Sequence, residues 1–157
     1  MLSHRSHLKR TDGPRAKIVL TLLALGLVLA AAPALAAKDC PQPRKTKTAP
    51  AKFLKLDIPK NASAQNGETL FQKSAKPMAC KMCHGDKGDG KGPLGKALKP
   101  APRNFTCAET MSDISPGQMF WIIKNGSSGT GMVAHGKQMS DKEIWDLVKY
   151  IQTSLAK

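Results

Sequence analysis

Apolar positions along the chain fall into four stretches of different character. Ile18 to Ala32 is a continuous run of Ile, Val, Leu, Ala and Gly, interrupted only by Thr21. The second stretch is sparse. Leu70 and Phe71 carry it, with Gly67 four places before Phe71 on the same helical face, and it predicts a helix from Ala62 to about Ser74. The third holds Met119, Phe120, Trp121, Ile122 and Ile123. Ser115 can cap it, Pro116 fits the first helical position, Gln118 completes a capping box, and Asn125-Gly126 stops it. In the fourth, Ile144, Val148, Ile151 and Leu155 recur at intervals of four, three and four. They form one apolar stripe that Leu147 and Tyr150 widen. Ser140 and Glu143 supply its capping box. No strand-like alternation of any length appears, and no internal repeat.

The intervals are long and rich in turn formers. Residues 38–60 carry Pro41, Pro43, Pro50 and Pro59 among Lys, Thr and Ala, and read as an extended, poorly ordered arm. Gly85 to Pro102 is a Gly-, Lys- and Pro-rich loop with room for a short turn over Leu94 to Lys99. Ser127 to Gly136 is a loop with three glycines. The expected class is all-α, with three to four helices and long loops. Four long amphipathic helices are not there, which argues against a four-helix bundle.

The first apolar run is not part of that fold. Arg5, Lys9, Arg10, Arg15 and Lys17 precede it, and Pro33-Ala34-Leu35-Ala36-Ala37 ends it in an Ala-x-Ala pattern. Residues 1–37 therefore read as a secretory signal peptide cut after Ala36 or Ala37. The competing reading is an uncleaved anchor, since the run approaches the about 20 residues that span a bilayer. Cleavage leaves about 120 residues, one arm (38–60) and one domain (61–157).

Charge is lopsided, with 25 Lys and Arg against 11 Asp and Glu. A basic surface steers encounter with acidic partners or an anionic membrane; the bland alternative is a solvated face. Few arginines, few aromatics and an export signal speak against nucleic acid.

The chemistry is concentrated at Cys80-Lys81-Met82-Cys83-His84. Cys-x-x-Cys-His is the attachment pattern of a c-type haem. Two thiols three positions apart each form a thioether to one vinyl group of a porphyrin, and the adjacent histidine offers an axial nitrogen. Zinc would want a second ligand pair, which is missing. Thioredoxin-like chemistry would want a βαβ context. A Cys80–Cys83 disulfide is the remaining alternative. Cys40 and Cys107 are left over, and an even pair in an exported chain suggests a disulfide.

With these landmarks in order, the chain resembles a class I c-type cytochrome, the small monohaem His/Met type, over residues 62 to about 155. Gly67 and Phe71 match the N-terminal helix of that family. Cys80, Cys83 and His84 match the haem motif, Gly92-Pro93-Leu94 the following Gly-Pro segment, and Gly131-Met132 the methionine loop. Leu147 and Tyr150 match the crossing C-terminal helix. The resemblance implies a small cytochrome c fold wrapped around one covalent haem c, with its iron ligated by His84 and Met132. It also implies that the Pro93 carbonyl accepts a hydrogen bond from His84. The family usually has proline after the methionine; here Val133 follows. His135, read as a surface histidine, and Met139, read as a packing residue, compete with Met132. Lys99 and Arg103 are candidates for the haem propionates.

Functionally the resemblance implies a periplasmic monohaem electron carrier that is not itself an enzyme. It would be monomeric if free and would meet redox partners with acidic docking surfaces. The alternative is a fixed haem subunit of a periplasmic or membrane-bound oxidoreductase complex.

Overall fold

The computed structural model describes residues 40–42 and 46–156. The expected signal peptide over 1–37 lies outside the described residues, as do the first two residues of the arm. Among the described residues there is no strand.

Helices form where caps and spacing place them. Helix α1 spans Ala51–Leu54, and α2 spans Ala64–Thr69 and continues as a wider π turn over Leu70–Ser74. Ser63 caps α2 by accepting the Asn66 N–H. The one-turn helices α3, Lys81–His84, and α4, Ala108–Met111, follow, with a 3₁₀ turn at Gly95–Ala97 between them. Helix α5 is Pro116–Asn125, with Ser115 as its cap and Gly126 at φ 75° as its stop. Helix α6 is Asp141–Tyr150, extended by a π turn over Ile151–Leu155; both halves of the Ser140–Glu143 capping box are present.

The core forms where α2, α5 and α6 meet. Phe71, Ile144, Leu147 and Val148 are fully buried, each contributing about 1.5–3 kcal/mol by leaving water. Phe120 stacks on Trp145 at 4.4 Å between ring centroids, and Phe71 meets Tyr150 at 5.6 Å. The crossing of α2 and α6 depends on Gly67. A Cβ there would lie 2.0 Å from the Asp146 carbonyl oxygen and 2.8 Å from Tyr150 Cβ.

A buried carboxylate ties the same crossing. Asp146 is fully buried. It accepts from the Ser63 N–H (2.7 Å), the Asn66 side-chain amide (2.7 Å) and the Lys142 ammonium (2.9 Å). Burial alone would raise its pKa, but these three donors hold it below 3.8. A group whose folded pKa is depressed stabilises above its unfolded pKa and loses that contribution as the pH falls through it. Asp146→Asn is therefore expected to lower stability at neutral pH by about 1.5–3 kcal/mol. In urea titrations, the gap between variant and wild type should shrink once the pH drops below 3.8. A gap independent of pH would contradict this role.

The stretch expected to be an extended, poorly ordered arm departs from that expectation within its described part. Ala51–Leu54 forms a helical turn, and Ala49 is buried. Phe53 stacks on Phe120 at 6.2 Å, and its carbonyl packs so closely on Gly117 that a Cβ there would meet it at 1.7 Å. Gln118 does not close the capping box of α5. Its side chain accepts the Ala49 N–H (2.7 Å) and donates to the Lys47 carbonyl (3.0 Å). Cys40 and Cys107 are joined in a disulfide with Cα atoms 5.5 Å apart. It closes a 67-residue separation, worth about 4 kcal/mol in the chain-entropy account.

Candidate haem site

The short helix α3 carries Cys83 and His84, and Cys80 is its N-cap residue. Its C-terminal carbonyls are satisfied by the following segment: Gly92 N–H donates to Cys83 O (3.1 Å) and Leu94 N–H to Met82 O (2.8 Å). The Gly-Pro segment thus backs the helix, and the chain turns through Gly95–Ala97 before running past the histidine at 102–105. This geometry corrects one expectation. The carbonyl that meets His84 Nδ1, at 3.0 Å, belongs to Arg103 and not to Pro93. Pro93 lies in the backing turn, beside Lys81 and Met82.

A carbonyl only accepts, so His84 carries its hydrogen on Nδ1 and Nε2 is the lone-pair nitrogen. His84 is buried, and its ring stacks on Phe105 at 4.5 Å with 17° between planes. Phe105, unnoticed in the sequence, is fixed by its N–H to Gly88 O (2.7 Å) and by edge contact with Phe71.

Cys80, Cys83 and His84 line one cleft of about 310 Å³ together with Leu98, Met132 and Ile151. Met78, Leu94 and Val133 line it too and are exposed, so the cleft opens to solvent beside them. Cys80 and Cys83 are free thiols, not joined to each other. Burial pushes Cys80 up to about 12 and also raises Cys83. Burial thus disfavours the thiolate form at both sulfurs, the form that dithiol redox centres stabilise. Two thiols, a histidine with a fixed tautomer and apolar walls make a donor set that fits a covalently held haem.

Met132 sits in a loop closed on itself. Its carbonyl accepts the Ser127 N–H (3.0 Å), and its own N–H donates to Thr130 Oγ1 (3.1 Å). His135, expected at the surface, is instead 4 % exposed and also lines the cleft. Its Nδ1 meets the Lys76 carbonyl, and its N–H donates to Ile123 O. It ties the last loop to the segment before the haem motif. Nothing in the sequence pattern marked that tie, because both partners are backbone carbonyls. Met139 is buried in the core. Of the two propionate candidates, Arg103 lines the cleft, and its guanidinium donates to Thr46; Lys99 is exposed and is not among the cleft residues.

Residues 62–151 match the family model described as cytochrome c oxidase, cbb3-type, subunit III. Among solved structures, the chain is similar to one from the reducing HAO-like protein complex of Kuenenia stuttgartiensis. That likeness has a TM-score of 0.54 and 25% identity. It covers 73% of this chain but only 52% of the other, so this chain spans about half the length of that relative. No curated protein sequence matches the chain. Among the described residues, no helix is long and apolar enough to cross a membrane.

Proposed function

Starting from the fact that the chain belongs to the cytochrome c oxidase, cbb3-type, subunit III family, a family of c-type cytochromes, we propose that it is a periplasmic monohaem carrier of single electrons. The domain is a small all-α cytochrome c fold, and it holds haem c covalently, with iron. That group supplies reversible one-electron chemistry at the iron. One observation carries the reading: Cys80, Cys83, His84 and Met132 line the same apolar cleft.

In this account His84 is the proximal ligand. The Arg103 carbonyl and the Phe105 ring hold it in place. Met132, presented by the Ser127–Met132 loop, would supply the second protein ligand to the iron. With His84 and Met132 both holding the iron, the group would carry electrons and not act on a substrate. The apolar walls keep water off the centre, and the exposed Met78, Leu94 and Val133 mark where electrons enter and leave. Lys76, Lys96, Lys99 and Lys137 are exposed and close to that rim in the chain. They would steer partners with acidic docking surfaces, an attraction that salt screens. Residues 1–37 act as the export signal, and nucleic acid plays no part.

Met132→Ala is expected to abolish the weak long-wavelength sulfur-to-iron absorption of the ferric protein and to lower its potential, because a soft thioether favours ferrous iron. His135→Ala should leave that band in place while reducing stability, since a buried tie is lost. The anchored Nδ1 of His135 favours one competitor, a bis-histidine site; it would be adopted if His135→Ala, and not Met132→Ala, changed the spectrum.

A second reading is a fixed haem subunit of a larger oxidoreductase. The family's own description and the likeness to a chain from a complex favour it. Gel filtration of native periplasmic extract separates the two: a shuttle elutes alone as a monomer, a subunit with its partners.

A further inference from the structure

The mechanism above leaves the Cys40–Cys107 disulfide and the segment beside it without a role. They are not remote from the site. Gln42, two residues after the bridge, reaches the 102–104 segment with both ends of its side chain. Its Nε2 donates to the Pro102 carbonyl (2.9 Å), and its Oε1 accepts the Asn104 N–H (2.9 Å). Its backbone N–H donates to Thr110 Oγ1 in α4 (3.2 Å). The residue bracketed between those two side-chain bonds is Arg103, whose carbonyl holds His84 Nδ1 at 3.0 Å. Thr46, in the same arm, lines the cleft and accepts from the Arg103 guanidinium.

We propose that Gln42, anchored by the Cys40–Cys107 disulfide, is a positioning residue for the axial histidine. It clamps the backbone on both sides of Arg103 and so fixes the hydrogen bond that orients His84 and sets its basicity. This rests on His84 being the iron ligand. The chemistry gives a direction. A carbonyl that accepts from Nδ1–H raises the electron density of the imidazole, which favours ferric iron. Loosening the clamp weakens that bond and raises the potential. The residue acts without touching the haem-binding side chains, and no motif marks it, because its partners are backbone groups about sixty positions away.

The test uses the exported holo-protein with Gln42→Ala, Gln42→Glu and the double variant Cys40→Ser/Cys107→Ser. Haem content, hydrogen exchange of the Asn104 and Phe105 amides, and reduction potential are measured for each. In Gln42→Ala the Asn104 amide should exchange at least about ten-fold faster, because its acceptor is gone. The Phe105 amide, bonded to Gly88 O, should be unchanged. The potential should rise with haem content unaltered. Gln42→Glu keeps the acceptor for Asn104 and should restore much of both properties. The disulfide variant, which keeps Gln42, should shift both in the same direction by a smaller amount. Should Asn104 exchange accelerate while the potential stays at the wild-type value, Gln42 is a structural clamp only and the positioning role is overturned. Unchanged exchange overturns the clamp itself. A wild-type protein without haem would instead remove the reading of the site, an outcome visible in the haem content alone.

Discussion

Gly67→Ala should cripple the fold, lowering the melting temperature of the holo-protein by roughly 10 °C or more, the shift expected for a loss of about 3 kcal/mol in a domain of this size. The added methyl has nowhere to go. It would sit 2.0 Å from the Asp146 carbonyl oxygen and 2.6 Å from its carbonyl carbon, both backbone atoms of α6. No rotamer change relieves a clash with backbone, so α2 and α6 must separate. That separation opens the packing around Leu147, Val148 and Tyr150 and strains the Asp146 bonds to Ser63 and Asn66. Overpacking of a tight core costs about 1–3 kcal/mol, and more when backbone must move. Gly129→Asn is the matched control. Gly129 has φ 76°, but nothing lies within 4 Å of an added Cβ. Asparagine tolerates that region, so only a small loss is expected. Thermal melts of the two variants check the contrast, and equal losses would mean that the helix crossing is not the reason for glycine at 67.

Replacing Cys80 and Cys83 together by alanine should yield an exported chain with no covalent haem and a poorly folded domain. The site residues explain why stability goes with the cofactor. Phe71, Met111, Met119 and Leu147 belong to both the core and the cleft wall. Without a covalently held group to cover them, these side chains face a cleft of about 310 Å³. A ligand that binds only the folded state stabilises it by mass action, and a covalent one cannot dissociate. Circular dichroism of the variant should show reduced helix and a broadened melt. A variant that melts like the wild type would mean that the domain does not need the group for its packing.

The legible parts of this molecule are those where one short-range rule decides the outcome. Ser115 and Ser140 cap their helices, and the stripe from Ile144 to Leu155 is buried because its period matches the helix. The place of Gly67 at the helix crossing came from the resemblance, which matches it, Leu147 and Tyr150 to the family's two crossing helices. The haem motif was readable because the chemistry dictates the spacing. What escaped depends on long-range partners. Helices α1 and α4 are four residues each, too short for any periodicity to register. Gln118 fits a capping box by position, yet the arm competes for its amide and wins. The carbonyl on His84 is nineteen residues away and is set by how the Gly85–Pro102 loop folds back, so the nearer Pro93 was the natural but incorrect choice. His135 is buried in a loop whose composition reads as surface, because Lys76 and Ile123 offer it backbone partners that composition does not reveal.

Mass spectrometry of the denatured, exported wild-type protein tests the central claim most directly. The account predicts a single species carrying the mass of one haem on the mature polypeptide, with the addition mapped to the peptide containing Cys80 and Cys83. The haem should remain with the protein in acidic acetone. A polypeptide with no added mass, or haem that passes into the organic phase, would contradict it.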